Sequence, residues 1–469
     1  MNFLRQLIQV ATCLLPWLLT PCLGQQPNLH PDKPVFPKRW TMPTEMPDRV
    51  ILTFAGDPAT QQSVTWRTDT SIRQSMAEIA VADAAPHFWR NANRVTSKTE
   101  RLDAGSVKDA EVVANYHSVT FTNLLPDTLY AYRVGDGVHW SEWFQFRTAS
   151  RTPKPFSFLY VGDAQNYILE LWSRLIRAGF SKAPDARFII HAGDLVSEAH
   201  SERQWHEWFT AGGWIHGMLP SVPVPGNHEY RPTQAESGPK GAQLSVQWRP
   251  QFTLPQNGPK GQEETAYWFD YQGVRMIALN SNRMQAEQTP WLDSLLANNP
   301  NKWTVVSFHH PIFSTAGERD NQELRAMWKP LFDKYGVDLV LQGHDHSYGR
   351  GQSGPLAENT VNGVNTRDKQ TGTVYVVSVS GGKMYTFKKD LWDKYDAKLE
   401  RKAENTQLFQ VIRVDGNQLR YQAFTATGEL YDAFELTKTG KKGPNRFVEQ
   451  AGGIMAERRH GNTIPYADK

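Results

Sequence analysis

Phe156-Ser157-Phe158-Leu159-Tyr160-Val161-Gly162-Asp163-Ala164-Gln165 is a mostly apolar run that stops on a glycine and a carboxylate. Such a run suits a strand buried on both faces. Ile168, Leu171, Leu175 and Ile176 then recur at helical spacing. Further apolar runs lie at 188–191, 222–224, 274–279, 303–308, 337–341 and 374–379. Helical patterns separate several of them, one over 289–296 with Pro290 in its first turn. The alternation predicts an α/β domain with buried sheets. Residues 407–436 alternate around Asp415-Gly416 and are expected to form its edge.

Chemistry-bearing residues gather where these runs stop. The motifs are Gly162-Asp163-Ala164-Gln165, Gly193-Asp194, Gly226-Asn227-His228-Glu229, His309-His310 and Gly343-His344-Asp345-His346. In open α/β sheets, ligands bind at the carboxyl ends of strands. Asp163, Asp194, Asn227, His309, His344 and His346 supply two carboxylates, an amide and three imidazoles. This mixed set suits Zn, Mn, Fe or Co; calcium prefers oxygen alone. Six donors exceed what one tetrahedral ion needs, and a two-metal site with a bridging carboxylate would use them all.

The order Asp, Gly-Asp, Gly-Asn-His-Glu, Val306-x-x-His309 and Gly-His-x-His resembles the calcineurin-like metallophosphoesterases. The β-rich stretch before it makes the chain most similar to their purple acid phosphatase branch, over roughly residues 48–436. Any one motif is weak; five in the family's order, each at a strand end, are specific. The resemblance implies a four-layer αββα catalytic domain over 154–437. By position, Asp163 and His346 would hold the first metal, Asp194 would bridge, and Asn227, His309 and His344 would hold the second. His228 falls where the family places a residue that hydrogen-bonds phosphate and protonates the leaving group, with Glu229 orienting its ring.

The implied function is an exported dinuclear-metal phosphatase acting on phosphomonoesters through a metal-bound hydroxide. A phosphodiesterase or pyrophosphate hydrolase has the same ligand set, and a non-catalytic surface-binding protein is the competing class. Two departures matter. Purple members carry a metal-bound Tyr three residues after the second Asp, whereas this chain has Ser197, so no purple colour is expected. Gln165 stands where the purple branch has Gly and many other members have His; it would give a neutral oxygen or bind a water. Without the anionic phenolate, two divalent ions (Zn, Mn or Fe) are expected, with iron a candidate for the first site.

The 469 residues exceed one ordinary core. Residues 48–150 carry short alternating runs, such as Ser63 to Trp66 and Tyr116 to Phe121, and resemble a fibronectin type III-like sandwich. Residues 25–47 are Pro-rich and suit an extended surface segment. Residues 1–24 read as a signal peptide: Arg5 precedes an apolar stretch too short to span a bilayer, which ends at Cys22-Leu23-Gly24. Cys13 and Cys22, the two cysteines, would leave with it, so a secreted or periplasmic chain without disulfides or a later membrane span is expected. Residues 438–469 form a basic polar tail, expected to be solvated. The net charge of +3 excludes a strongly basic nucleic-acid surface and leaves a small-molecule or macromolecular phosphoester as the expected partner.

Other candidates have ordinary roles as the default. His191 is expected to pack in its strand and His310 to point away from the site if that strand continues. Asp345 fills a variable motif position. His200, His206 and His216 lie among tryptophans as a wall. Tyr230, Arg231, Arg319 and Arg350 lie near motifs and are candidates for phosphate contact.

Overall fold

Valines 305 and 306 show how the period of two builds the layers. Val305 joins a core between two sheets with Phe158, Met276, Leu341 and Val376. Val306 faces the other way and packs with Leu292, Leu296, Trp328 and Phe332. The computed structural model describes residues 35–233, 241–316, 319–353, 357–361, 364–387, 392–395, 397–440, 444–450 and 452–459. The leader, with Cys13 and Cys22, lies outside them.

One catalytic sheet runs Tyr267–Tyr271, Val274–Ala278, Trp303–Ser307, Leu339–Gln342, Val374–Val377, Tyr348–Ser353 and Ala397–Ala403. Gln285–Ala297 and Gln322–Tyr335 cover its outer face. The facing sheet has a parallel centre of Phe156–Val161, Ile189–His191 and Ser221–Pro223, extended antiparallel by Leu408–Asp415, Gln418–Thr425 and Leu430–Thr437. Ser173–Lys182 and Glu202–Gly212 pack on it through Leu175, Ile176, Trp205 and Trp208. The catalytic part is therefore the expected αββα stack.

Two details differ from the sequence reading. The helix expected over 289–296 is Gln285–Ala297, with Pro290 inside it and not in its first turn. Gln288 explains the earlier start: its amide bonds the backbone of Asn280, Arg283 and Met284 and fastens that end. The stretch read as a solvated tail contributes a strand, Asn445–Glu449, beside Leu430–Thr437. Phe447 buries almost completely there, and Asn445 and Lys438 both reach Asp338.

The N-terminal sandwich pairs Asp48–Thr53, Gln62–Thr68, Val112–Phe121 and Lys98–Ala104 against Asn93–Thr96, Met76–Val81, Leu129–Gly135 and Phe144–Arg147. Leu52, Val64, Trp66, Phe121, Tyr132 and Phe146 fill it. Its first sheet does not stop at the module. Thr53 pairs in parallel with Ser221, so the two sheets merge into one of 13 strands among the described residues. Arg49 and Arg67, buried in the sandwich, share Glu202 at the start of a catalytic-domain helix, and Arg67 also holds Asp48. Tyr132 donates its hydroxyl proton to Gly217 O at 2.7 Å. The described residues from Phe36 onward accordingly form one compact unit.

His117 sits in the sandwich between the hydroxyls of Thr68 (2.8 Å) and Thr99 (2.9 Å). One hydroxyl accepting and one donating fits the neutral ring, and burial lowers its pKa from 6.5 to about 4. Below pH 6.5 the unfolded chain takes up a proton that the folded chain refuses. The stability present above pH 6.5 is therefore lost as pH falls towards 4, by up to about 1.4 kcal/mol per pH unit. Thermal melts of His117→Asn should fall less steeply across this window than those of the parent. Parallel profiles would contradict this assignment.

Candidate metal centre

Each of the six donors lies just beyond a strand. Asp163 follows Phe156–Val161, Asp194 follows Ile189–His191, Asn227 follows Ser221–Pro223, His309 follows Trp303–Ser307, and His344 and His346 follow Leu339–Gln342. The two sheets face each other, so their tips bring all six into one cluster. His309 Nε2 is 3.1 Å from Asn227 Oδ1 and 3.2 Å from Asp194 Oδ2. His344 Nδ1 is 3.0 Å from Asn227 Oδ1 and 3.1 Å from His309 Nε2. On the other side, His346 Nε2 is 3.5 Å from Asp163 Oδ2. Gln165 Nε2 spans the two groups, 3.2 Å from His346 Nε2 and 2.7 Å from Asp194 Oδ2. Spacings near 3 Å match the edges of coordination polyhedra with bonds of about 2.1 Å.

The fit to cations also shows in what is left unpaired. Asp163 Oδ2 and Gln165 Oε1 are buried without a hydrogen-bond partner. A buried anionic oxygen in that state is costly unless a positive charge meets it. Each carboxylate meanwhile gives its other oxygen to the backbone: Asp163 Oδ1 accepts from His344 N (2.7 Å) and Asp194 Oδ1 from His228 N (2.8 Å). His309 and His346 donate from Nδ1 to Ala192 O (2.9 Å) and Lys383 O (3.0 Å), which directs their Nε2 lone pairs at the cluster.

Backbone approach explains the glycines. A Cβ at Gly226 would lie 2.1 Å from Asp194 Oδ1, and one at Gly343 would lie 2.3 Å from Asp163 Oδ1. Asp194 (φ 51°) and His344 (φ 72°) themselves adopt left-handed backbone, a strained geometry that concentrates at functional sites. Burial, with Asp194 close by, pushes Asp163 up to about 7. Burial opposes the charged form of His309, yet Asp194 and Asp163 outweigh it and carry that ring to about 9. Metal cations would take the place of such protons.

Several sequence readings need correction. Glu229 does not touch the His228 ring. Its carboxylate accepts from the backbone N–H groups of Asp194 (2.9 Å), Leu195 (2.9 Å), Val196 (3.3 Å) and Gly226 (2.7 Å), so it clamps two donor-bearing loops together. The ring is oriented by Ser197 O, 2.7 Å from His228 Nδ1, with Nε2 3.9 Å from Asp194 Oδ2 and the side chain 21% exposed. Arg231 Nη2 lies 3.0 Å from the same Nδ1.

Asp345 is fully buried and accepts from Ser314 Oγ (2.6 Å), Thr315 N (2.6 Å) and Ala316 N (3.2 Å), so it fixes the loop before Arg319. Arg319 donates to His344 O (3.0 Å) and the Tyr385 hydroxyl (3.2 Å), beside the donor cluster. Arg350 is no phosphate contact: it is buried against Asp432 and Glu449. His310 stays beside the site, 4.4 Å between ring centroids from His344, because the strand has ended at Ser307 and alternation no longer applies. His191 and His216 pack among Trp172 and Trp208, His206 meets Trp40, and His200 bonds Arg231 O.

Residues 156–348 match the calcineurin-like phosphoesterase family, and residues 47–148 match the purple acid phosphatase N-terminal domain. An uncharacterised protein of Mycobacterium tuberculosis is 29% identical over 378 residues, covering 71% of this chain and 68% of its own. Purple acid phosphatase 18 of Arabidopsis thaliana is 24% identical over 360 residues, covering 72% of each. The purple acid phosphatase PPD1 from yellow lupin superposes with a TM-score of 0.67 at 18% identity, over 84% of this chain and 74% of that one. Fold and site together define a calcineurin-like metallophosphoesterase, a metal-dependent phosphoester hydrolase. With its N-terminal sandwich, the chain belongs to the purple acid phosphatase-like branch of that family.

Proposed function

We propose that this chain is an exported phosphatase that hydrolyses phosphomonoesters at a two-metal centre. The observation that carries the reading is Asp194 Oδ2, which lies between the donors on its two sides, 3.2 Å from His309 Nε2 and 2.7 Å from Gln165 Nε2. Asp163 and His346 would hold the first ion, Asn227, His309 and His344 the second, and Asp194 both. Gln165, turned to present its unpaired Oε1, would be a neutral ligand of the first. Two divalent ions so held would lower the pKa of a bound water and neutralise phosphate oxygens.

The chain's own groups do the rest. His228, partly open to solvent with Nε2 facing Asp194, would donate a hydrogen bond to the phosphate and a proton to the leaving alcohol. Arg319 offers a guanidinium for a phosphate oxygen, and Glu229 keeps the two ligand loops in register. The acid phosphatase names of the relatives support the monoester reading. The leader-like residues 1–24 support export, and no helix among the described residues is long and apolar enough to cross a membrane.

The test is metal content together with assays on p-nitrophenyl and bis-p-nitrophenyl phosphate after loading with Zn, Mn or Fe. About two ions per chain and faster turnover of the monoester are expected, without the visible band that a metal-bound tyrosinate gives. His228→Ala should keep both ions and lose about 10²- to 10⁴-fold in kcat. No bound metal and no hydrolysis of either ester would overturn the proposal; preference for the diester would turn it to a phosphodiesterase.

A further inference from the structure

A cavity of about 780 Å³ opens directly beside Asn227. Its wall has an unusual hydrogen-bonding character. Asn282 donates its amide to Pro225 O (2.8 Å), Gln285 to Ser281 O (2.8 Å) and Asn321 to Pro311 O (2.9 Å). Each amide is thereby fixed by its nitrogen and keeps a carbonyl oxygen with no protein partner among the described residues. None of these oxygens is among the buried unpaired atoms, so all three can be reached from solvent.

The ring of His310 stands at the metal end. His310 N donates to Ser281 Oγ, and that hydroxyl lies 2.9 Å from His310 Nδ1. Charge at the cavity is sparse. Arg283 is exposed over the Tyr230 ring, Glu323 adds one exposed carboxylate, and both oxygens of Asp320 are taken by Arg325 and Tyr395.

We infer that this cavity receives the alcohol half of the phosphoester and is built for a neutral, hydroxyl-rich alcohol, a sugar or polyol, in place of an aryl or alkyl chain. The inference rests on the phosphatase reading. An acceptor-lined wall is satisfied by hydroxyl protons, whereas an alkyl chain would strip water from three carbonyl oxygens and return nothing. Sites that hydrogen-bond a substrate hydroxyl reject analogues lacking it far more strongly than apolar pockets reject a wrong shape. With one exposed guanidinium, the cavity is not furnished for a chain of further phosphates.

Glucose 6-phosphate and n-hexyl phosphate both release a primary alcohol, so their comparison isolates the cavity from leaving-group chemistry. The metal-loaded protein should favour glucose 6-phosphate in kcat/KM by about 100-fold. Glycerol 2-phosphate and adenosine 5′-monophosphate distinguish a small polyol from a ribose as the preferred form. Gln285→Leu and Asn321→Leu should each lower the glucose-to-hexyl ratio by about 10-fold. Equal use of hexyl phosphate, or a ratio unmoved by both variants, overturns the inference while leaving a phosphatase. Failure to hydrolyse any of these esters or p-nitrophenyl phosphate overturns the phosphatase reading and the cavity assignment with it.

Discussion

Asp194→Asn should give a folded protein that holds little metal and turns over nothing measurable. The amide keeps the shape of the side chain and can still accept from His228 N at Oδ1. Asn also tolerates the left-handed backbone at this position, where φ is 51°. What it loses is the negative charge at Oδ2, the atom within 3.2 Å of His309 Nε2 and 2.7 Å of the Gln165 amide. An amide presenting its NH₂ there would repel cations from both sides. Metal content should fall from about two ions to fewer than about 0.5 per chain, and kcat by at least about 10⁴-fold, since both the nucleophile and the charge neutralisation depend on the pair. Elemental analysis beside a p-nitrophenyl phosphate assay reads both. Two retained ions with kcat within tenfold of the parent would show that Asp194 is not shared.

Glu202→Gln carries the largest expected loss of stability. Its carboxylate is met by Arg49 and Arg67, whose side chains are 1% and 0% exposed. Asp48 answers only Arg67, so the amide would leave Arg49 without an anionic partner. Removing one member of a buried ion network costs about 3–5 kcal/mol, because the remaining charge stays desolvated. Urea unfolding should show this loss, with the parent's metal content unchanged in the native state. A loss below about 1 kcal/mol would mean that water reaches the arginines.

The catalytic layers were legible because their strands are continuous apolar runs that stop on glycine and a polar residue; Phe156 to Asp163 alone announces both a strand and a candidate ligand. The convergence of the six candidate donors was legible for the same reason. Glu229 was misjudged because its partners are backbone N–H groups of residues 194–196, which sequence spacing does not reveal. Arg350 was misjudged because its partner, Asp432, is 82 residues away. Asp345 looked like filler between two histidines, yet its work is on a loop 29 to 31 residues earlier. The strand at Asn445–Glu449 hid in a polar, glycine-rich stretch, where only Phe447 hints at burial.

The junction at Thr53 and Ser221 gives the N-terminal module a meaning that its fold alone does not suggest. A parallel sheet is normally closed in on every side, and a bare flank of unpaired N–H and C=O groups invites other chains to add to it. Ser221–Pro223 would be such a flank, four residues before Asn227 in the donor cluster. The sandwich strand Asp48–Thr53 lies along it and hands the open flank on to Lys98–Ala104, on the far side of the module and away from the chemistry. The sandwich thus guards the catalytic sheet against intermolecular pairing at the place where such pairing would do most harm.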